Sequence, residues 1–186
     1  MTRPLRKDAA ERREALLKAA AEAFARDGLD TPLHVIAERA GVGRATLYRN
    51  FADRSELAVA VFVGQIDDLH ERTQARLDDP EVFLWFLEQM VELMIESAGL
   101  AGAIRDLKDE ALAPIRHGLK RAGAEALAVS QAAGRVRPDL SVEDTRVLAL
   151  MLGAPSRTVG AADRDQLSRR TLELVLDAVK PQGRSA

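Results

Sequence analysis

Thr31-Pro-Leu-His-Val-Ile-Ala-Glu-Arg-Ala-Gly-Val-Gly-Arg-Ala-Thr-Leu-Tyr-Arg-Asn-Phe-Ala-Asp-Arg-Ser-Glu-Leu57 reads as two short helices, a tight glycine turn between them, and the start of a third helix. Thr31 can cap free backbone N–H groups, and Pro32 already holds helical φ and has no N–H to leave unpaired, so a helix is expected to begin there. Leu33, Ile36, Ala37 and Ala40 recur at helical spacing, and Gly41 supplies the left-handed residue that ends a helix without a Cβ penalty. Val42 is apolar in the middle of the turn and is expected to plug the angle between the two helices, with Leu47 packed on the same small core. Arg44, Ala45, Thr46, Tyr48, Arg49 and Asn50 are left on an outward face of basic, hydroxyl and amide groups, which suits a DNA major groove. The pattern is a helix-turn-helix.

Working outward, Phe51 is expected to anchor the exit of the second helix, and Asp53 with Glu56 forms a capping-box-like start for a long helix that runs to about Leu77. That helix carries Leu57, Val61, Phe62, Ile66 and Leu69 inward, and Asp78-Asp79-Pro80 breaks it. Upstream, a helix over about 8–27 places Leu16, Leu17, Ala20, Ala21 and Phe24 on its inner face, ended by Gly28 with Leu29 folding back. Arg3, Arg6 and Lys7 precede it as a basic arm, either a phosphate or minor-groove contact or a solvated terminus.

Ile36-Ala37, Ala40-Gly41-Val42, Thr46-Leu47-Tyr48, Phe51 and Asp53-Arg54-Ser55-Glu56-Leu57 together resemble the DNA-binding signature of the TetR (tetracycline-repressor-like) family of bacterial transcriptional regulators. The match covers the first third of the chain. The resemblance implies a homodimer with an all-helical regulatory domain, whose ligand changes the spacing of two DNA-reading heads. It also implies that Thr46, Tyr48 and Asn50 are phosphate-contacting or groove-facing, with Asn50 standing where His is common. Arg54 sits where a phosphate-binding Lys is usual, and His34 matches a position that can reach the groove. Gly43 departs from the pattern, which has Ser or Thr there to cap the reading helix. Arg44, Ala45 and Arg49 are the expected base readers, since Arg can bridge guanine O6 and N7 and a small apolar group can meet a thymine methyl.

The remaining chain is expected to be helical throughout. Of the 186 residues of the whole protein 47% are hydrophobic, with Ala and Leu abundant and aromatics few, which favours an all-α protein with an ample core. Residues 81–97 place Phe83, Phe86, Leu87, Met90, Val91 and Met94 on one stripe, with Trp85 on another side. Gly99 and Gly102 punctuate a short connection. A helix over 111–133, started or kinked at Pro114, leads to the turn Gly134-Arg-Val-Arg-Pro-Asp139, and Ser141 caps the next helix. Val147 to Ala154 is apolar all round, and a final helix over about 163–179 carries two apolar stripes, after which Pro181 to Ala186 reads as a loose tail. This is more apolar surface than one core contact needs, so Leu148, Met151, Leu152, Leu167, Thr171, Leu174, Val175 and Ala178 are expected to form a two-fold dimer interface.

The overall expectation is a helix-turn-helix head over 1–55 and a helical ligand-binding and dimerisation domain over 56–186. Residues 1–57 hold 11 Lys/Arg against 9 Asp/Glu, whereas 58–186 hold 16 against 20, so DNA would be attracted to one end only. An effector cavity is expected among Phe62, Ile66, Phe86, Met90, Met94 and Met151, with His70 and His117 as polar anchors. The same residues also describe ordinary core and satisfied or surface histidines. Arg105, Lys108 and Arg116 would suit an acidic ligand or a solvated face equally.

With no cysteine there are no disulfides or thiolate sites. The three histidines are scattered, and no nucleophile elbow or phosphate-cradling glycine loop is present. No metal, cofactor or catalysis is therefore expected. Asp8, Glu11 and Glu14 follow the basic N-terminus where a signal peptide would be apolar, so no secretion signal is expected, and Glu88, Glu92, Glu96 and Arg105 interrupt the most apolar region, Val82 to Ile104, so no membrane span is expected. The expectation is a soluble cytoplasmic protein binding a double-stranded DNA operator. A ligand-responsive repressor with an unknown small-molecule effector fits best, ahead of an activator or ligand-independent DNA-binding protein, and further ahead of an enzyme using the C-terminal cavity.

Overall fold

The computed structural model describes residues 3–100, 107–108, 110–158 and 161–181. The expectations for Gly102, Ile104, Arg105 and the tail beyond Pro181 lie outside the described residues. Among the described residues the chain forms α1 (Arg3–Asp27), α2 (Leu33–Arg39), α3 (Arg44–Asn50), α4 (Arg54–Gln74), α5 (Val82–Glu96), a 3-10 turn (Ala98–Leu100), α6 (Ala113–Ala132), α7 (Asp144–Thr158) and α8 (Ala161–Val179), and no strand. The all-α expectation holds. No helix among the described residues is long and apolar enough to cross a membrane.

Two compact units divide the chain: residues 1–64 with 97–112, and residues 65–96 with 113–186. In the first unit, Leu16, Ala20 and Phe24 of α1 bury against Ile36 and Ala37 of α2, Leu47 of α3, Phe51, and Leu57, Ala58 and Val61 of α4. Leu100 joins the same core. Burying side chains of this size contributes about 1.5–3 kcal/mol each for the larger ones, enough to orient short helices that would fray alone.

Two expectations at the ends of these helices change. Arg3, Arg6 and Lys7 lie in the first turns of α1 rather than in an arm before it. Thr31 does not cap α2: its backbone N–H and its hydroxyl both donate to the Gly28 carbonyl, at 3.3 and 3.0 Å, so the side chain is spent closing the α1–α2 loop. Pro32 becomes the N-cap, and α2 has no side-chain cap. The ends of α1 and α2 are instead held by Asp27, which accepts from Arg26 at 2.9 Å and from Arg39 at 3.0 Å. Those side-chain hydrogen bonds, Arg26 first, lower the Asp27 carboxyl to about 2.

In the second unit α5 packs against α6, α7 and α8, and α7 packs against α6 and α8. Phe83 and Phe86 stack with centroids 5.9 Å apart, and the Phe83 N–H donates to the buried Ser130 hydroxyl at 3.0 Å, satisfying one orphan donor of the first turn of α5. Gly118 lets α6 approach α4 closely, since a Cβ there would stand 2.9 Å from Ile66 Cγ2. Pro114 sits in the first turn of α6 and starts it rather than kinking it. Ser141 does precede α7, but with the expected bond reversed: its N–H and hydroxyl both donate to the Asp144 carboxylate, at 2.8 and 2.9 Å.

Candidate nucleic-acid interface

The glycine turn sets the position of α3. Gly41 has φ +67°, its N–H donates to Glu38 O at 3.0 Å and the Val42 N–H donates to Ala37 O at 2.9 Å. This pair of bonds closes α2 and reverses the chain. Val42 packs half-buried on the head core, and Leu47 is buried beside it. Gly43 stands at the N-cap with φ −70° and ψ 149° and offers no side-chain cap.

With Leu47 pinned inward, Gly43, Arg44, Ala45, Tyr48 and Arg49 are exposed, Tyr48 by 56%, while Thr46 and Asn50 are half-buried. His34 is exposed on α2. Arg49 is laid back along its own helix, its Nε donating to Ala45 O at 3.2 Å and an Nη to Thr46 Oγ1 at 3.1 Å. Asn50 donates to Thr46 O at 2.8 Å. These local bonds lay the guanidinium and the amide back along the helix.

Arg54 is half-buried, and one Nη donates to the Thr31 carbonyl at 2.6 Å, joining the start of α4 to the α1–α2 loop. That start is also closed locally: Asp53 Oδ1 accepts from the Glu56 N–H at 2.8 Å, and the Glu56 carboxylate accepts from the Ala52 N–H at 2.6 Å. The capping box anticipated from Asp53 and Glu56 is present, shifted by one residue on its return bond.

The residues expected around an effector are distributed differently. Ile66, Phe86 and Met90 are fully buried. His70 and Met94 are half-buried, Phe62 packs half-buried against the head core, His117 is exposed, and Met151 is 47% exposed. A polar recess of about 240 Å³ lies between α4 and α5, lined by Gln65, Leu69, Arg72, Gln89, Glu92, Leu93 and Glu96, none of them in the expected set. Buried polar atoms lie inside the second unit, His70 among those the sequence offers and the others not. Thr145 Oγ1, Ser168 Oγ, His70 Nδ1 and Gln74 Nε2 are buried without a hydrogen-bond partner among the described residues. Such groups are costly unless something satisfies them.

On α7 and α8, Val147, Leu150, Met151, Leu167 and Leu174 are large apolar side chains left 41–55% exposed. Ala178 is exposed and Thr171 half-buried, with its hydroxyl donating to Leu167 O at 2.8 Å. Leu148, Leu152 and Val175 lie in the core of the chain itself. Val147 and Leu150 are the additional members of the exposed set.

Residues 16–61 match the family model "Bacterial regulatory proteins, tetR family", and residues 79–181 match "Transcriptional regulator SbtR-like, C-terminal domain". Among solved structures, a TetR transcription regulatory protein from Mycobacterium vanbaalenii is 30% identical over 96% of this chain and all of that one, with a TM-score of 0.63. A TetR transcriptional regulator from Streptomyces coelicolor is 28% identical over 92% of this chain and 99% of its own, with a TM-score of 0.65. The FadR repressor of Thermus thermophilus shares the fold at 21% identity, covering 94% of this chain and 98% of its own, with a TM-score of 0.67. With its helix-turn-helix head and helical C-terminal unit, the chain belongs to the TetR family of DNA-binding bacterial transcriptional regulators.

Proposed function

We propose that this regulator is a ligand-responsive homodimeric repressor, acting in the cytoplasm on a palindromic double-stranded operator. The observation that carries the reading is the row of exposed apolar side chains on α7 and α8, Val147, Leu150, Met151, Leu167 and Leu174. Large apolar side chains left exposed together favour cover by another protein surface. Self-association through the same row on two chains gives a closed two-fold dimer. Two α3 helices related by that axis would read half-sites one or more helical turns apart.

In this reading, residues 1–55 form the DNA-binding domain and 56–186 the effector and dimerisation domain. Arg44, Ala45 and Arg49 read base edges, and His34, Gly43, Thr46, Tyr48, Asn50 and Arg54 position the head on the backbone and groove. The Thermus thermophilus repressor of the same fold is solved in complex with lauroyl-CoA. Here an effector would enter among the C-terminal helices, with Phe86 and Met90 as apolar walls and the unpartnered Thr145 and Ser168 hydroxyls as hydrogen-bonding groups. It would release DNA only through tighter binding to a dimer geometry in which the two reading helices no longer match adjacent major grooves. The reading assigns the protein no catalytic activity.

Leu174→Glu tests the assembly. A charge among these apolar side chains should turn a dimer into monomers in sedimentation velocity and reduce operator affinity by about a hundredfold or more. A variant that still sediments as the wild type does would move the interface off α7 and α8.

A further inference from the structure

The structure assigns Arg13 of α1 as a positioning residue for the reading helix, acting through the C-terminal end of α3 rather than by touching DNA. The proposal rests on the reading of α3 as the DNA-contacting helix. Arg13 is exposed on the same side of α1 as Leu16 and Ala20, which lie in the head core one and two turns further on. Helical spacing therefore directs position 13 toward the same side, at the point where the core meets solvent.

At that point the Arg13 guanidinium stands 4.5 Å from the centroid of the Phe51 ring. Its Nη1 donates to the Asn50 carbonyl at 3.5 Å, the outer limit of a hydrogen bond. Phe51 is the buried residue that ends α3, with φ −142° and ψ 118°, and Asn50 is the last residue of the helix.

The need for such a contact follows from the length of α3. A seven-residue helix cannot hold its own ends, because nucleation is costly and its last four carbonyls have no partner within the helix. The Phe51 N–H closes on Leu47 O at 2.9 Å, and Arg13 is the donor to the Asn50 carbonyl. A cation at this end is also favoured by the helix dipole, and over the Phe51 ring by the ring quadrupole. Arg49 and Asn50 occupy the last turn that these contacts steady, so Arg13 sets the geometry of part of the reading face without belonging to it. Its loss should weaken recognition of the correct sequence more than general attraction to DNA, since phosphate contacts tolerate small misplacements and base contacts do not.

The test compares the full-length chain with Arg13→Ala and Arg13→Lys. Binding is measured across a salt series on two duplexes: the one the wild type enriches from a random library, and a scrambled duplex of equal length and composition. Arg13→Ala should weaken the enriched duplex about tenfold, leave the scrambled duplex within about twofold, and keep the salt slope. Arg13→Lys, which retains the cation, should recover most of the loss.

Equal losses on both duplexes, with a slope shallower by about one, would mean a direct phosphate contact and overturn the proposal. So would unchanged discrimination in Arg13→Ala, or an Arg13→Lys variant as weak as the alanine. Because Arg13→Lys keeps the charge on the core edge, its result decides the matter even if the alanine variant unfolds. A wild-type chain that enriches no duplex would remove the reading of α3 itself, and this proposal with it. Discrimination by the wild type and both variants alike would remove the proposal alone.

Discussion

The outward side of α3 and the outward sides of α7 and α8 differ in kind. Around α3 the chain exposes Arg44, Ala45, Tyr48 and Arg49, whereas α7 and α8 expose Val147, Leu150, Met151, Leu167 and Leu174. A polar surface is content in water and gains from a partner only where charge and hydrogen-bond geometry match, as on a nucleic acid. An apolar row gains from almost any cover, at about 25 cal/mol for each Å² removed from water, so it must be met by something specific if the protein is to remain well behaved. The two surfaces also differ in how they are made. The α3 face depends on one turn and one small core, while the α7–α8 face is what remains after two long helices have filled the interior.

That contrast can be broken at either surface. At the α3 surface the largest effect is expected from Tyr48→Ala. Tyr48 is 56% exposed and packs no core, so its removal should change stability by less than about 0.5 kcal/mol while lowering operator affinity by roughly a hundredfold. Melting by circular dichroism and a binding titration check the two halves. Retained affinity would mean that the surface used is elsewhere.

A sharper comparison uses the two glycines of the turn. Neither Gly41 nor Gly43 has an atom within 4 Å of an added Cβ, so crowding plays no part. Gly41→Ala forces a side chain onto φ +67° and should cost about 1–2 kcal/mol in denaturant unfolding of the head. Gly43→Ser keeps an ordinary φ of −70° and adds the missing N-cap, so it should stabilise by a few tenths of a kcal/mol. Equal effects at the two positions would contradict the account of the turn.

The head was legible where local chemistry determines structure. Gly41 announced its left-handed turn, Asp53 and Glu56 announced the start of α4, and Leu47 announced its inward side. Sequence reading failed where a side chain found a distant partner. Thr31 bonds back to Gly28 instead of capping α2, Arg54 reaches the Thr31 carbonyl 23 residues away, and Arg13 meets Asn50 and Phe51 across 37 residues or more. Periodicity carries no information about such pairings.

In the C-terminal unit the same periodicity found the helices but did not sort their faces. Because Val147 to Ala154 is apolar on every side, spacing alone could not separate Leu148 and Leu152, which enter the core, from Val147 and Leu150, which do not. The effector set drew on Met and aromatic composition, which describes a core as well as a cavity. The buried hydroxyls of Thr145 and Ser168 stand out only once their missing partners can be seen in three dimensions.

Dimeric operator recognition is tested by selection of bound duplexes from a random library by the wild-type chain at two salt concentrations, followed by footprinting of the enriched sequence. A homodimer reading its operator through two α3 helices should give an inverted repeat, two protected half-sites a whole number of helical turns apart, and an affinity that falls steeply with salt. A single protected half-site without symmetry, or no enrichment from a folded protein, would contradict dimeric recognition.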